Sequence, residues 1–328
     1  MKRICPAMIC VFFMALVLPA YAAEDAKEMF NAVVKIRATV PKDARTASTL
    51  GTDREGYGVL IDSKGHILTI GYLIVEAETL EVVGPDDRSV SGTFVGYDHN
   101  TGFGLLRSDK PLNVTPVKIG RSSEVKEGDP VLVAGHGGPR AAGAARVISR
   151  KEFAGYWEYL LEDAIFTIPA YPDFGGAALI NHDGQLVGIG SLLTQVTIPG
   201  VGSIACNIFV PIDLLQPILT DLINTGRPRK APRPWLGLNV EEAHGRLFVN
   251  RVTSEGPAEK AGLKPDDLIL TVNGKPVNGL ADFYRKIWAV GNAGVEVSLS
   301  VLKGTEIRSI TLRSVDRHQF LQLKEKKT

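Results

Sequence analysis

The residues that could do chemistry are few and lie far apart in this sequence. The Gly-rich segment YPDFGGAAL, residues 171–179, leads into an apolar hairpin with an Asp-Gly turn, and such a tight loop can present a nucleophile. Acyl transfer needs an activated hydroxyl or thiol, a base with a pKa near 7 and a group that orients the base. No serine, threonine or cysteine lies between Thr167 and Ser191. The segment therefore has no nucleophile of its own.

The other reactive side chains are predicted to be structural. His66, His99, His136 and His182 each fall in a predicted loop or turn, and Cys206 stands alone on the apolar strand IACNIFVPI, where a small core residue is expected. Scattered histidines and unpaired cysteines give no ligand set, so no metal and no cofactor is expected. A formal net charge of +1 gives no field that favours nucleic acid.

The N-terminus has the pattern of an export signal. Lys2 and Arg3 precede an apolar run over residues 8–18, and Ala20-Tyr21-Ala22 fits a small-residue cleavage site. The run is about half of the ~20 residues that a membrane span needs. We expect a signal peptide over residues 1–22, no stable membrane span and a periplasmic mature protein.

The remaining chain predicts a mainly β protein in two parts. Short apolar strands separated by turn residues run from Val33 to about Ile212, which is typical of antiparallel barrels or a sandwich. Residues 213–225 predict a helix that ends at Gly226. The basic, proline-rich segment 227–234 predicts a solvated linker. A further domain follows over 235–315, and the charged tail 316–328 is expected to fray.

The last domain resembles a bacterial PDZ domain over its whole length. The specific part is PAEKAGLKPDDLILTVNGKPV, residues 257–277, preceded by WLGL at 235–238. The resemblance implies a small β-barrel with helices. It also implies a groove in which backbone N–H groups bind a terminal carboxylate and the next strand pairs with a peptide.

The resemblance places the peptide-binding residues on two elements. Trp235, Leu236, Gly237 and Leu238 match the carboxylate-binding loop, and a helix over residues 280–290 forms the other wall. Leu280, Phe283 or Tyr284, and Ile287 lie on one face of that helix. Some of these apolar residues also pack the core.

The combination of a secreted β-rich domain and one PDZ domain resembles the HtrA family of serine proteases. Three segments carry the resemblance in the family's order: GYGVLIDSKGHILTIGYLIV, DHNTGFGLLR and YPDFGGAAL. The resemblance implies a trypsin-like domain of two six-stranded β-barrels over residues 23–226. It also places Tyr72 at the position of the histidine base, Gly102 at that of the orienting aspartate and Gly175 at that of the serine.

These three substitutions predict a domain without protease chemistry. Glycine supplies neither a nucleophile nor a carboxylate, and a phenol with a pKa near ~10 is a poor base at neutral pH. The oxyanion loop differs as well, because Asp173 and Phe174 precede Gly175. A carboxylate there opposes the negative charge that the loop stabilises in the family, and Phe174 can plug the vacant cleft.

Three readings of function follow. The favoured one is an exported HtrA-like pseudoprotease that binds polypeptide segments or C-termini as an adaptor, regulator or chaperone-like factor in envelope protein quality control. The alternative is an active endopeptidase with a non-standard or partner-completed site. A third is a structural subunit beside an active HtrA-type relative. Family members are often homotrimers held by N-terminal aromatics, and between the predicted cleavage site after Ala22 and the first strand only Phe30 is aromatic.

Overall fold

The fold comprises two closed β-barrels and a third, smaller β-domain, as the sequence predicts. The structure, a computed structural model, describes residues 28–198, 200 and 202–323. The predicted signal peptide and the final residues of the tail lie outside the described residues.

The first barrel is built from six antiparallel strands in the order β1-β2-β3-β6-β5-β4. They are β1 (Val33–Thr39), β2 (Asp53–Leu60), β3 (His66–Ile70), β4 (Thr79–Val83), β5 (Ser89–Tyr97) and β6 (Phe103–Ser108). A short helix, α1 (Ala47–Leu50), separates β1 from β2, and a 3-10 turn, Gly71–Leu73, follows β3. Phe30 is buried in a core cluster to which both barrels contribute.

The second barrel has the order β10-β11-β12-β9-β8-β7. Its strands are β7 (Pro130–Ala134), β8 (Ala142–Gly155), β9 (Tyr159–Ile168), β10 (Ala178–Ile180), β11 (Leu186–Ile198) and β12 (Gly202–Pro211). Cys206 is fully buried on β12, as expected of a core residue. The helix α2 (Gln216–Thr225) ends at Gly226, whose φ of 81° provides the left-handed C-cap.

The third domain is a six-stranded sheet with two helices. The strands are β13 (Leu238–Ala243), β14 (Arg246–Val252), β15 (Leu268–Val272), β16 (Lys275–Pro276), β17 (Glu296–Lys303) and β18 (Glu306–Arg313); the helices are α3 (Pro257–Lys260) and α4 (Leu280–Trp288). Leu280, Phe283, Tyr284 and Ile287 of α4 pack into the core of this domain. Leu160, at the start of β9, is buried in the same core, so the second barrel contributes to it.

The linker and the tail are more ordered than their compositions predict. Arg233 of the linker, which the sequence predicts to be solvated, is half-buried and stacks on the Trp288 ring, with 4.2 Å from Cζ to the ring centroid. Beyond Val315 the chain forms a helix, α5 (Arg317–Phe320), where a frayed end was expected. The Phe320 ring packs on Trp235 with a centroid distance of 4.6 Å. Aromatic contacts across the sequence thus order both segments.

No helix within the described ranges is long and apolar enough to cross a membrane.

Candidate functional site

The fold brings together two of the three positions at which the sequence predicts lost catalytic residues. Tyr72 lies in the 3-10 turn after β3, and Gly175 lies in the loop before β10. A Cβ atom at Gly175 would stand 2.9 Å from the hydroxyl oxygen of Tyr72. That hydroxyl donates a hydrogen bond to the carbonyl oxygen of Ser191 at 3.0 Å. The phenol therefore fills the space that a side chain at position 175 would need.

The third position, Gly102, lies beside the same turn. Its carbonyl oxygen accepts a hydrogen bond from the N–H of Gly71 at 2.7 Å. Gly102 has a φ of +82°, and a Cβ there would stand 3.1 Å from the hydroxyl of Tyr159. The Tyr159 hydroxyl is itself fixed by donating to the carbonyl oxygen of Thr101 at 2.6 Å. Position 102 therefore has neither the backbone conformation nor the space that suits most side chains.

The loop before Gly175 carries the negative charge that its sequence predicts. Asp173 is exposed and Phe174 is half-buried. Burial, and then the charge of Asp173, raise the pKa of Tyr57 to about 12. The N–H of Tyr57 donates to the carbonyl oxygen of Gly175 at 2.8 Å. The loop is thus pinned to β2, with a carboxylate close to it.

The described histidines that the sequence singled out find structural partners. His66 Nδ1 lies 2.6 Å from a carboxylate oxygen of Asp62, and His136 Nε2 lies 2.8 Å from the carbonyl oxygen of Gly84. Burial lowers the pKa of His99 well below its usual value.

Burial raises the pKa of the Tyr72 phenol above its usual range, so the group at the base position keeps its proton at neutral pH.

A cavity of about 380 Å³ opens between the first barrel, the turn between β8 and β9 and the PDZ-like domain. Its wall includes Tyr72 and Phe174 from the cleft, Tyr156 and Trp157 from the turn, and Arg251 from β14. Phe174 therefore lines the cleft, and a cavity remains open between it and the aromatic residues of the turn.

The predicted carboxylate-binding loop already holds a carboxylate, that of Glu158. The N–H of Gly237 donates to Glu158 Oε1 at 2.7 Å, and that of Leu238 donates to the same oxygen at 2.9 Å. The N–H of Leu236 lies 2.9 Å from Oε2 and 3.2 Å from Oε1. Gly237 has a φ of +77°, which brings these amides into one concave nest.

The backbone before Glu158 lies in the groove between β13 and α4. The carbonyl oxygen of Tyr156 accepts from the N–H of Val240 on β13 at 2.8 Å. From the opposite wall, the hydroxyl of Tyr284 donates to the carbonyl oxygen of Gly155 at 2.7 Å and accepts from the N–H of Glu158 at 3.1 Å. Of the two alternatives on the helix face, Tyr284 therefore makes the polar contacts.

Two predicted groove residues have other roles in this structure. The N–H of Trp235 donates to the carbonyl oxygen of Val315 at 3.1 Å, not to the carboxylate. Ile287 is fully buried in the core of the third domain. Its place on the groove wall remains a prediction.

Sequence reasoning missed Glu158, because its partners lie 78 to 80 residues further along the chain. The one local signal is a bulky acidic residue at the end of a three-residue turn, a position that favours glycine.

Charged groups surround Glu158 on several elements. Burial raises the pKa of Glu158 to about 7, and the backbone donors and the charge of Arg317 oppose that rise. The cavity next to Glu158 is also lined by the ionisable groups Asp98, His99, Arg227, Lys230, Arg233, Asp316, Arg317 and His318.

Comparison with known families agrees with this architecture. The trypsin-like peptidase domain family matches residues 56–189, and the PDZ domain family matches residues 234–313. The chain is 28% identical to a probable periplasmic serine protease do/HhoA-like of Haemophilus influenzae over 79% of its length and 57% of that protein. It is 25% identical to the periplasmic serine endoprotease DegP of Escherichia coli K12, over 76% of its length and 54% of that protein. The chain thus spans little more than half of each of these relatives.

Solved structures share the fold. The HtrA-type protease AlgW with a decapeptide aligns with a TM-score of 0.52 at 21% identity, covering 89% of this chain and 98% of that one. The serine endoprotease from Yersinia pestis aligns with a TM-score of 0.52 at 22% identity, covering 91% and 99%.

Proposed function

Because the chain is homologous to the HtrA and DegP serine endopeptidases and combines a trypsin-like domain with a PDZ domain, we propose that it is an exported, non-catalytic relative of these enzymes. In this proposal it binds polypeptide segments or C-termini through its PDZ domain. It acts as an adaptor, regulator or chaperone-like factor in envelope protein quality control. Periplasmic relatives support the compartment.

The observation that carries the binding function is the carboxylate held by three consecutive backbone N–H groups at Leu236, Gly237 and Leu238. A loop that holds a glutamate carboxylate in this way has the geometry to hold a terminal carboxylate. The adjacent edge of β13 offers the N–H of Val240 to an added backbone.

The loss of catalysis is supported by the contact between Tyr72 and position 175. A protonated phenol occupies the place of a nucleophile and cannot activate one. The competing reading is an active endopeptidase with a displaced or partner-completed site. One serine to examine is Ser191, which lines the same cavity and whose carbonyl oxygen accepts a hydrogen bond from Tyr72.

Labelling the purified mature protein with a fluorophosphonate and incubating it with unfolded casein separates the two readings. We expect no label and no cleavage. Labelling that disappears in Ser191→Ala, or in any other single serine variant, refutes the non-catalytic proposal.

Peptide binding is tested on the full mature chain by fluorescence anisotropy with apolar C-terminal peptides. A peptide with a free C-terminal carboxylate should bind more tightly than the same peptide with a C-terminal amide, because amidation removes the negative charge to which the N–H groups donate. Gly237→Val should weaken binding, since the new Cβ would stand 3.3 Å from the Trp235 ring at a positive φ. Gly274→Ala is the control: it also has a positive φ but no neighbour within 4 Å of its Cβ position. Equal affinity for acid and amide contradicts C-terminal recognition.

A further inference from the structure

The turn between β8 and β9 has a feature that its role as a turn does not explain. It consists of Tyr156, Trp157 and Glu158, and Glu158 has a φ of +59°. The left-handed position of a three-residue hairpin loop is usually glycine, because a side chain there costs on the order of 1 kcal/mol. Glu158 is also buried, with 5% of its surface exposed. Both costs must be offset by the contacts of its side chain.

Those contacts are the ones expected of a PDZ ligand. The carboxylate of Glu158 receives the N–H groups of the loop, and the carbonyl oxygen of Tyr156 pairs with Val240 on β13. The turn thus supplies a carboxylate and a backbone carbonyl oxygen that pairs with the edge strand, and it is part of the same chain. A terminal carboxylate from elsewhere would need the same three N–H groups.

We propose that the β8–β9 turn is an intramolecular ligand of the PDZ groove, which a partner's C-terminal carboxylate must displace before it can bind. The part that concerns the partner rests on the proposed function. The occupation of the groove does not.

Besides the carboxylate contact, the hairpin is joined to the PDZ domain by buried hydrogen bonds at Tyr284 and Val240 and by exposed ion pairs. Arg285 of α4 bridges Glu152 and Glu162 on the two strands of the hairpin, but these side chains are 41–67% exposed. Exposed ion pairs contribute little to stability. Arg317 also donates to the carbonyl oxygen of Trp157 at 3.2 Å. The Glu158 carboxylate, with its three backbone donors, is the largest single group of polar contacts between the hairpin and the PDZ domain, beside those of Tyr284 and Val240.

The expected size of the effect follows from the tether. A group on a short connection has an effective concentration in the millimolar range, against a dissociation constant on the order of micromolar for a PDZ–peptide contact. The groove would then be occupied about 1,000 times more often than it is free. A partner's apparent affinity is multiplied by the free fraction, so removal of the internal ligand should tighten binding by up to about 1,000-fold, and at least a tenfold gain is the smallest result in accord with the proposal.

Glu158→Gly is the decisive variant, because glycine suits a φ of +59° and removes only the carboxylate arm. Glu158→Gln removes the charge and keeps the length of the side chain. Asp163→Asn is the matched control, since it neutralises a carboxylate on β9 that pairs with Arg150 within the second barrel. Melting curves of all variants establish that they are folded.

Two measurements on the full chain test the proposal: amide hydrogen exchange over residues 236–240, and anisotropy titration with one apolar free-acid peptide. We expect exchange to accelerate and affinity to rise at least tenfold in Glu158→Gly, with no change in Asp163→Asn. Unchanged exchange overturns the proposal, and so does wild-type affinity equal to that of Glu158→Gly. Accelerated exchange without binding of any peptide supports the internal contact and refutes the proposed peptide-binding function.

Discussion

The contact between Tyr72 and Gly175 can be measured as a coupling energy. A Cβ at position 175 would approach the Tyr72 hydroxyl to 2.9 Å. The hydroxyl cannot retreat without weakening its bond to the carbonyl oxygen of Ser191. Overpacking of this kind costs about 1–3 kcal/mol, and a weakened buried hydrogen bond costs about 1 kcal/mol. We therefore expect Gly175→Ala to destabilise the protein by about 1–2 kcal/mol.

The same substitution should be harmless once the hydroxyl is removed. In a Tyr72→Phe background, the nearest atoms of residue 72 to the new methyl group are ring carbons at 3.8 and 3.9 Å, which is ordinary contact. Gly→Ala also restricts the unfolded chain, which stabilises by about 0.4–1 kcal/mol at a compatible position. Tyr72→Phe alone should cost about 1 kcal/mol, because the Ser191 carbonyl loses its donor.

Urea denaturation of the wild type, the two single variants and the double variant gives the coupling directly. We expect the loss of unfolding free energy in the double variant to be smaller than the sum of the losses in the two single variants by about 1–2 kcal/mol. Gly175→Ala combined with Tyr284→Phe, whose hydroxyl lies in the PDZ groove, should be additive within about 0.5 kcal/mol. Additivity in the Tyr72 cycle would show that the phenol does not occupy the space at position 175.

Two further predictions concern catalysis and pH. The triple variant Tyr72→His, Gly102→Asp, Gly175→Ser should cleave casein at a rate within about tenfold of background. A side chain at position 102 meets the fixed Tyr159 hydroxyl at a φ of +82°, and small misplacements of a catalytic group lower the rate about 100-fold. Rapid turnover by the triple variant would contradict this. Burial raises the pKa of Glu158 to about 7 in the docked state, above ~4.3 for an exposed Glu. Docking therefore takes up a proton, and the contribution of Glu158 to the stability of the fold declines as the pH rises from 5 to 8. The unfolding free energy of the wild type minus that of Glu158→Gln should fall by up to about 3 kcal/mol over this range; a difference that grows with pH would refute the assigned sign.

The sequence predicts the fold well, because its signals are local or repeated. Alternating apolar residues and turn markers predict antiparallel barrels or a sandwich, the resemblance to the HtrA family implies two barrels, and the left-handed Gly226 ends α2 where expected. The spacing of the three protease-like segments also brings Tyr72 next to Gly175. Each of these inferences needs only patterns within one segment, or a family frame that fixes the order of segments.

The parts that the sequence did not predict depend on contacts between distant segments. The tail helix α5 is held by the packing of Phe320 on Trp235, 85 positions earlier in the chain. The composition around either residue does not indicate this contact. The docking of Glu158 requires that the long β8–β9 hairpin reaches the PDZ domain. Its reach is set by the geometry of the second barrel and not by the turn residues 156–158. A polar residue in a turn is ordinarily solvated, and only its positive φ and its burial distinguish this one.

Two concavities in the described part of the chain each hold one of its own side chains. The phenol of Tyr72 occupies the protease-like cleft, and the carboxylate of Glu158 occupies the PDZ groove. The two sites share a wall, because Tyr156 and Trp157 of the docked turn line the cavity above Tyr72. Release of the turn from the groove must therefore change that cavity as well. We expect a partner that binds the PDZ domain to alter the exposure of the residues that line this cavity.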